Sequence, residues 1–151
     1  MKTYKIKTED FFKIFNYSDK SDNENLNDII TSLEKSLDTN GDNDINLDRE
    51  DIVYCFKNSR VGYVTYTKTN DIKSDLKYIA ENILLKAQNN SLIDNIVIDF
   101  KLDPSYDMMM LFDAMEVINY SAHEDASICF CTTCDSNLDK NEAEVSAFIF
   151  Y

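Results

Sequence analysis

Three groups of residues in this chain have the types and spacing that chemistry requires. In "DTNGDNDINLDRE", Asp38, Asn40 and Asp42 match the first, third and fifth ligand positions of a calcium loop, Asp44 offers a carbonyl at the seventh, and Ile45 is the branched apolar residue at the eighth. Two positions depart from the pattern. Asn43 stands where a glycine makes the sharp turn, and Arg49 brings a cation to the twelfth position, where the ion needs a bidentate carboxylate; Glu50 would serve only in a loop one residue longer. An acidic surface loop is the simpler reading. Read from Asn46, the same stretch changes meaning. Asn46, Asp48 and Asp51 precede the apolar Ile52 at the start of a helix, and carboxylates so placed can align or partly deprotonate a water, given a cation to offset repulsion from a phosphate. The structural alternative is that Asp48 is the helix N-cap and Asp51, three residues on, completes a capping pair that complements the helix dipole. The third group is "CFCTTC". Cys129, Cys131 and Cys134, with His123 or Cys55 as a fourth ligand, suit zinc. Strand alternation instead turns Cys129 and Cys131 to one face as small apolar core residues, and His123, in the polar "SAHEDA", has no nucleophile beside it in sequence. No resident metal and no cofactor are expected.

These groups depend on elements that place them. Residues 1–37 hold an aromatic cluster (Phe11, Phe12, Phe15) and a helical stripe of Leu26, Ile29, Ile30, Leu33 and Leu37, which reads as an appendage. From Asp48 the order becomes regular. A helix to about Ser59 precedes the strand "RVGYVTYT", and "NDIKSDLKYIAENILLKAQ" follows with Leu76, Ile79, Ala80, Ile83, Leu84 and Ala87 on one helical face. "DNIVIDFKL" reads as a strand. "DPSYDMMMLFDAMEVINY" reads as a helix capped by Asp103 with Pro104 at its first position, and "ASICFCTT" and "AEVSAFIFY" are the closing strands. The expected fold is α/β, of the two-layer α+β kind: a small mixed sheet of four strands with packed helices. Its last strand is apolar on both faces, with Val145, Ala147 and Ile149 alternating against Phe148 and Phe150, so a cover for the second face is required. The N-terminal segment is the nearest cover, with self-association as the alternative. The division expected is an appendage with its acidic loop over 1–45 and a module over 46–151.

Composition limits the partners. With 151 residues, 44% of them apolar, the chain can build a core of its own. Its 28 acidic against 15 basic residues give a net charge of −13, which disfavours nucleic acid and anionic membrane surfaces. No run is long and apolar enough for a membrane span, and "MKTYKIKTEDFF" lacks the apolar stretch of a signal peptide, so a cytoplasmic location is expected. The four cysteines are expected as free thiols.

From Asn46 to Tyr151 the chain resembles the C-terminal domain of FtsZ, the bacterial tubulin-like division GTPase. That family's activation loop, Asn-x-Asp-x-x-Asp and an apolar residue, corresponds to Asn46, Asp48, Asp51 and Ile52, followed by a helix and the strand "RVGYVTY". "NNSLIDNIVIDFKLDPSYDMMMLFDAMEVIN" and "DASICFCTTCDSNLDKNEAEVSAFIFY" resemble its later strand–helix unit and final hairpin, with Asp135 where an aspartate is usual. Arg60 and Gly62 depart from the family's glycine and alanine there. The resemblance implies that Asp48 and Asp51 polarise water at a neighbouring subunit's nucleotide, with Asn46 beside its phosphates. The family's own nucleotide pocket is a separate glycine-rich domain, whereas this chain has two glycines, Gly41 and Gly62, and fewer than 50 residues before the motif. The expectation is a protein without GTPase activity of its own. It would act by protein–protein contact, on an FtsZ-like or tubulin-like GTPase or on itself, by capping or modulating filaments in cell division. A calcium module and a small-ligand protein reusing the fold are the alternatives.

Overall fold

The computed structural model describes residues 1–37, 45–89 and 95–151. In order, the elements are β1 (Lys2–Lys7), α1 (Thr8–Tyr17), α2 (Glu24–Leu37), α3 (Arg49–Phe56), β2 (Val61–Thr69) and α4 (Ile72–Ile79). A π-helical turn (Ala80–Leu84) joins α4 to α5 (Leu85–Gln88), and β3 (Asn95–Leu102), α6 (Met108–Ser121), β4 (Ser127–Cys134) and β5 (Ala143–Phe150) complete the chain. The described residues form a mixed α/β fold around a five-stranded sheet of order β1-β2-β5-β3-β4. Among them only β3 and β4 run parallel, across the α6 crossover; β5 lies antiparallel between β2 and β3. A short polar loop into β5 permits that return.

The sheet has one strand more than the four expected. "KTYKIK" pairs along the whole of β2, from Lys2 opposite Tyr66 to Lys7 opposite Val61, so the first residues of the chain belong to the sheet. Helices cover both faces where two layers were expected. On one face, α4, the π-helical turn, α5 and α6 pack on Ile96, Ile98, Phe100, Val145, Ala147 and Ile149. The apolar stripe from Leu76 to Ala87 runs through the π-turn and is buried as its spacing requires. On the other face, α1, α2 and α3 pack on Val64, Val97, Cys131, Phe148 and Phe150. The N-terminal segment is therefore the cover that β5 demands. Phe11 lies at its centre, with ring centroids 5.1 to 5.9 Å from those of Phe12, Phe15, Phe56, Phe148 and Phe150.

One local detail differs from what the sequence leads one to expect. The N-cap of α6 is Asp107, whose carboxylate accepts from the Met109 N–H at 2.9 Å, and not Asp103. Asp103 serves the turn before β5 instead, bonding the Ser105 hydroxyl and accepting from the Asn141 N–H. Both aspartates suit a cap, and the tie to the β5 turn takes the first. Gly62 has a steric reason: a Cβ there would stand 2.6 Å from the Ile149 carbonyl oxygen and from the Phe150 ring. The Phe56–Phe150 pair, at 4.4 Å between centroids, keeps that ring in place.

Candidate functional site

The Asn46–Asp51 segment is set by contacts at both ends. At its start, the Ile45 N–H donates to Thr132 Oγ1 at 2.8 Å and the Thr132 N–H donates to the Ile45 carbonyl at 2.9 Å, which clips the chain to edge strand β4. At its end, Asp48 has the extended backbone of an N-cap, and the Asp51 carboxylate accepts from the Asp48 N–H at 2.9 Å. Capping therefore does shape this loop. Asn46, Asp48, Glu50 and Asp51 are all exposed, while Ile52 and Phe56 behind them are fully buried. The result is an exposed carboxylate pair on a helix whose back is locked into the core.

Arg49 supplies a brace that the motif does not advertise. Its guanidinium donates to the Phe15 carbonyl at 2.9 Å, to Asn16 Oδ1 at 3.3 Å and to Glu34 Oε2 at 2.9 Å, and lies 4.6 Å from the centre of the Phe15 ring. The residue that spoils the twelfth position of a calcium loop thus ties α3 to α1 and α2. Asp38, Asn40, Asp42 and Asp44 lie outside the described residues. Beyond the loop, the outward side of α3 carries Tyr54, 70% exposed, with the Lys57 ammonium 4.5 Å over its ring.

Of the other candidate residues, Cys55 and Cys129 come together, Sγ to Sγ at 3.8 Å, and the rest stand apart. Cys129 and Cys131 do share the face toward α2 and α3, but Cys134 is exposed at the strand's end. His123 is in the turn before β4, where its Nδ1 accepts from the Asp125 N–H at 3.1 Å. Among the described residues no group of three or more His, Cys, Asp or Glu is placed to hold a metal ion.

One buried carboxylate belongs to none of these motifs. Asp99, 2% exposed on β3, accepts from Ser36 Oγ at 2.9 Å and from the Cys131 thiol at 3.3 Å, joining the end of α2 to the sheet. Burial pushes its carboxyl up to about 6, against the opposing pull of those two bonds. The folded state therefore binds this proton more tightly than the unfolded chain does. The stabilisation is complete below the unfolded value near 3.8 and is lost as pH rises through about 6. At about 1.4 kcal/mol per unit, the difference is about 3 kcal/mol. Asp99→Asn should gain about 2 kcal/mol on the wild type between pH 4 and pH 7, in urea unfolding at the two pH values. Parallel curves for the two proteins would show that Asp99 does not titrate this way.

Between α2 and the sheet, Lys2, Asn25, Asp28, Tyr66, Glu144 and Ser146 line an open groove of about 290 Å³. Partial burial and the nearby Glu144 carboxylate raise the Tyr66 hydroxyl above its ordinary value.

No family model matches the chain, and no curated protein matches it in sequence. Solved structures do match in shape. An empty FtsZ dimer from M. jannaschii superposes with a TM-score of 0.57 at 15% identity over 93% of this chain and 43% of its own. A W319Y mutant of FtsZ from the same organism gives 0.53 at 16% identity, over 92% of this chain and 44% of its own. The architecture is that of the C-terminal domain of FtsZ and tubulin-like proteins. The chain spans less than half the length of the FtsZ structures it matches.

Proposed function

We propose that this chain is a tubulin-like module that binds one end of an FtsZ-type filament in the cytoplasm and presents Asp48 and Asp51 to the terminal subunit's nucleotide. The observation that carries the reading is the exposure of Asn46, Asp48 and Asp51 at the start of a helix braced by Arg49, on a fold shared with FtsZ. A water held between such carboxylates and a bound nucleotide's cation could be oriented for attack on the terminal phosphate. Tyr54 on the same helix, with Lys57 just past its end, adds a contact surface of the kind favoured at protein interfaces.

A module of this kind engages a filament from one side only. With two glycines and no phosphate loop, these 151 residues meet one subunit through the Asn46–Asp51 loop and by themselves offer no glycine-rich nucleotide face to the next, so on this reading they cap. The reading predicts that the chain by itself shows no saturable GTP or ATP binding at physiological concentrations. Isothermal titration checks this, and micromolar affinity would count against a role exercised only on a partner's nucleotide. Copelleting with polymerised FtsZ checks the partner: the chain should sediment with filaments, and Tyr54→Ala should weaken that by roughly tenfold, the size of a 1–2 kcal/mol interface contact.

The groove beside Lys2 and Glu144 favours a second reading, a small polar ligand recognised by an ion pair with one of these charges. Under that reading, a thermal-shift screen of charged metabolites gives a hit that either Lys2→Met or Glu144→Gln abolishes.

A further inference from the structure

Cys55 and Cys129 come from different elements, α3 and β4, and their Sγ atoms stand 3.8 Å apart. Both are free thiols. A disulfide bond is about 2.05 Å long, so side-chain rotation has to close roughly 1.8 Å. Cys55 is 6% exposed and Cys129 is half-buried, so a dissolved oxidant reaches Cys129 first. The remaining thiols are placed for other contacts: Cys131 bonds the Asp99 carboxylate, and Cys134 is exposed at the end of β4. The filament reading makes no use of the pair, yet Cys55 lies on the helix that begins with the Asp48–Asp51 cap.

We propose that Cys55 and Cys129 form a reversible disulfide that pins α3, and with it the Asn46–Asp51 loop, to edge strand β4. The oxidant is hydrogen peroxide. The Cys129 thiolate attacks one peroxide oxygen, the S–O bond forms as the O–O bond breaks, and the departing hydroxide is protonated to water. Cys55 sulfur then attacks the sulfenic sulfur, the S–S bond forms, the S–O bond breaks, and a second water leaves. The two thiols lose two electrons and two protons in all, and the peroxide is reduced to two waters. A dithiol reductant reverses the change by exchange. Burial, with the adjacent Cys55 and the Asp51 carboxylate, pushes the Cys129 thiol up to about 11, while Ser127 Oγ, 3.5 Å from Cys55 Sγ, lowers it. The thiolate is therefore scarce at neutral pH and the first step is slow.

The bond would close a loop across a sequence separation of 74 residues, long enough to restrict the unfolded chain strongly. The test treats the full chain with hydrogen peroxide or diamide at pH 8.5, alkylates it under denaturing conditions, and maps its peptides by mass. The expected result is two of the four cysteines protected in a Cys55–Cys129 peptide that dithiothreitol releases, in a chain that runs as a monomer without reductant. Tm should rise by roughly 5–15 °C, and amide exchange should slow over residues 46–56. Four alkylated cysteines, a bond confined to Cys131 or Cys134, or a Cys55–Cys129 bond that leaves exchange in the loop unchanged would each overturn the proposal. The wild-type map decides this even if Cys55→Ser and Cys129→Ser fail to fold.

Discussion

Phe11→Ala should destabilise this protein by about 3–5 kcal/mol, the range for truncating a large buried aromatic. Phe11 is fully buried and stacks or tilts against rings from α1, α3 and β5, so the cavity left behind has several walls and little freedom to collapse. Typical domains are stable by only about 5–15 kcal/mol, so one change consumes much of the margin. Removing residues 1–37 altogether should go further. It strips β1 from β2 and uncovers Val64, Val97, Phe148 and Phe150, which leaves an apolar face of the sheet in water. Urea unfolding of Phe11→Ala and size-exclusion chromatography of the truncated chain are the measurements. A truncated chain that stays monomeric and melts with the wild type would refute the covering role of the N-terminal segment.

That covering role is legible in the amino-acid sequence, because β5 alternates apolar residues on both sides and a strand so built needs two layers over it. The α4 stripe is legible for a similar reason: a run of three- and four-residue intervals admits one buried face. β1 is not. "KTYKIK" carries Lys2, Lys5 and Lys7, and only its pairing to β2 makes it a strand; lysine is the usual guard of an exposed sheet edge, so the signal of an edge strand is also what disguises it. The cap of α6 falls at Asp107 and not at Asp103 because the two are equally good caps in sequence, and a turn from a distant part of the chain selects between them.

At the site, the exposure of Asp48 and Asp51 follows from their place just outside the first apolar residue of α3. Arg49 is different. In sequence it is a flaw in a calcium pattern; in the fold it bonds groups from α1 and α2 that lie 15 to 34 residues away. No local pattern encodes such a partner. Asp99 lies between these cases: a charged residue inside "NIVIDFKL" is a visible anomaly, but Ser36, its hydroxyl partner, is 63 residues distant. Cys55 and Cys129 are brought together only by the packing of α3 on the sheet.

The second large effect concerns the carboxylates in the proposed complex. Asp48→Ala and Asp51→Ala should each remove most of any stimulation of GTP hydrolysis, about 10²–10⁴-fold if the carboxylates act as general bases. Neither should abolish end binding, since Tyr54 and the outer side of α3 remain. Asp51→Ala also frees the Asp48 N–H that it now satisfies, and loss of a cap costs about 1 kcal/mol, so melting curves must accompany the kinetics. A variant that melts like the wild type yet no longer stimulates turnover separates chemistry from folding.

The most direct test is polymerisation and phosphate release by FtsZ from the same organism, with this protein added from substoichiometric to equimolar amounts. The account predicts shorter filaments at substoichiometric ratios, with turnover per filament end raised by the wild type and not by Asp48→Ala or Asp51→Ala. Unchanged filament length and unchanged phosphate release up to equimolar protein would contradict it.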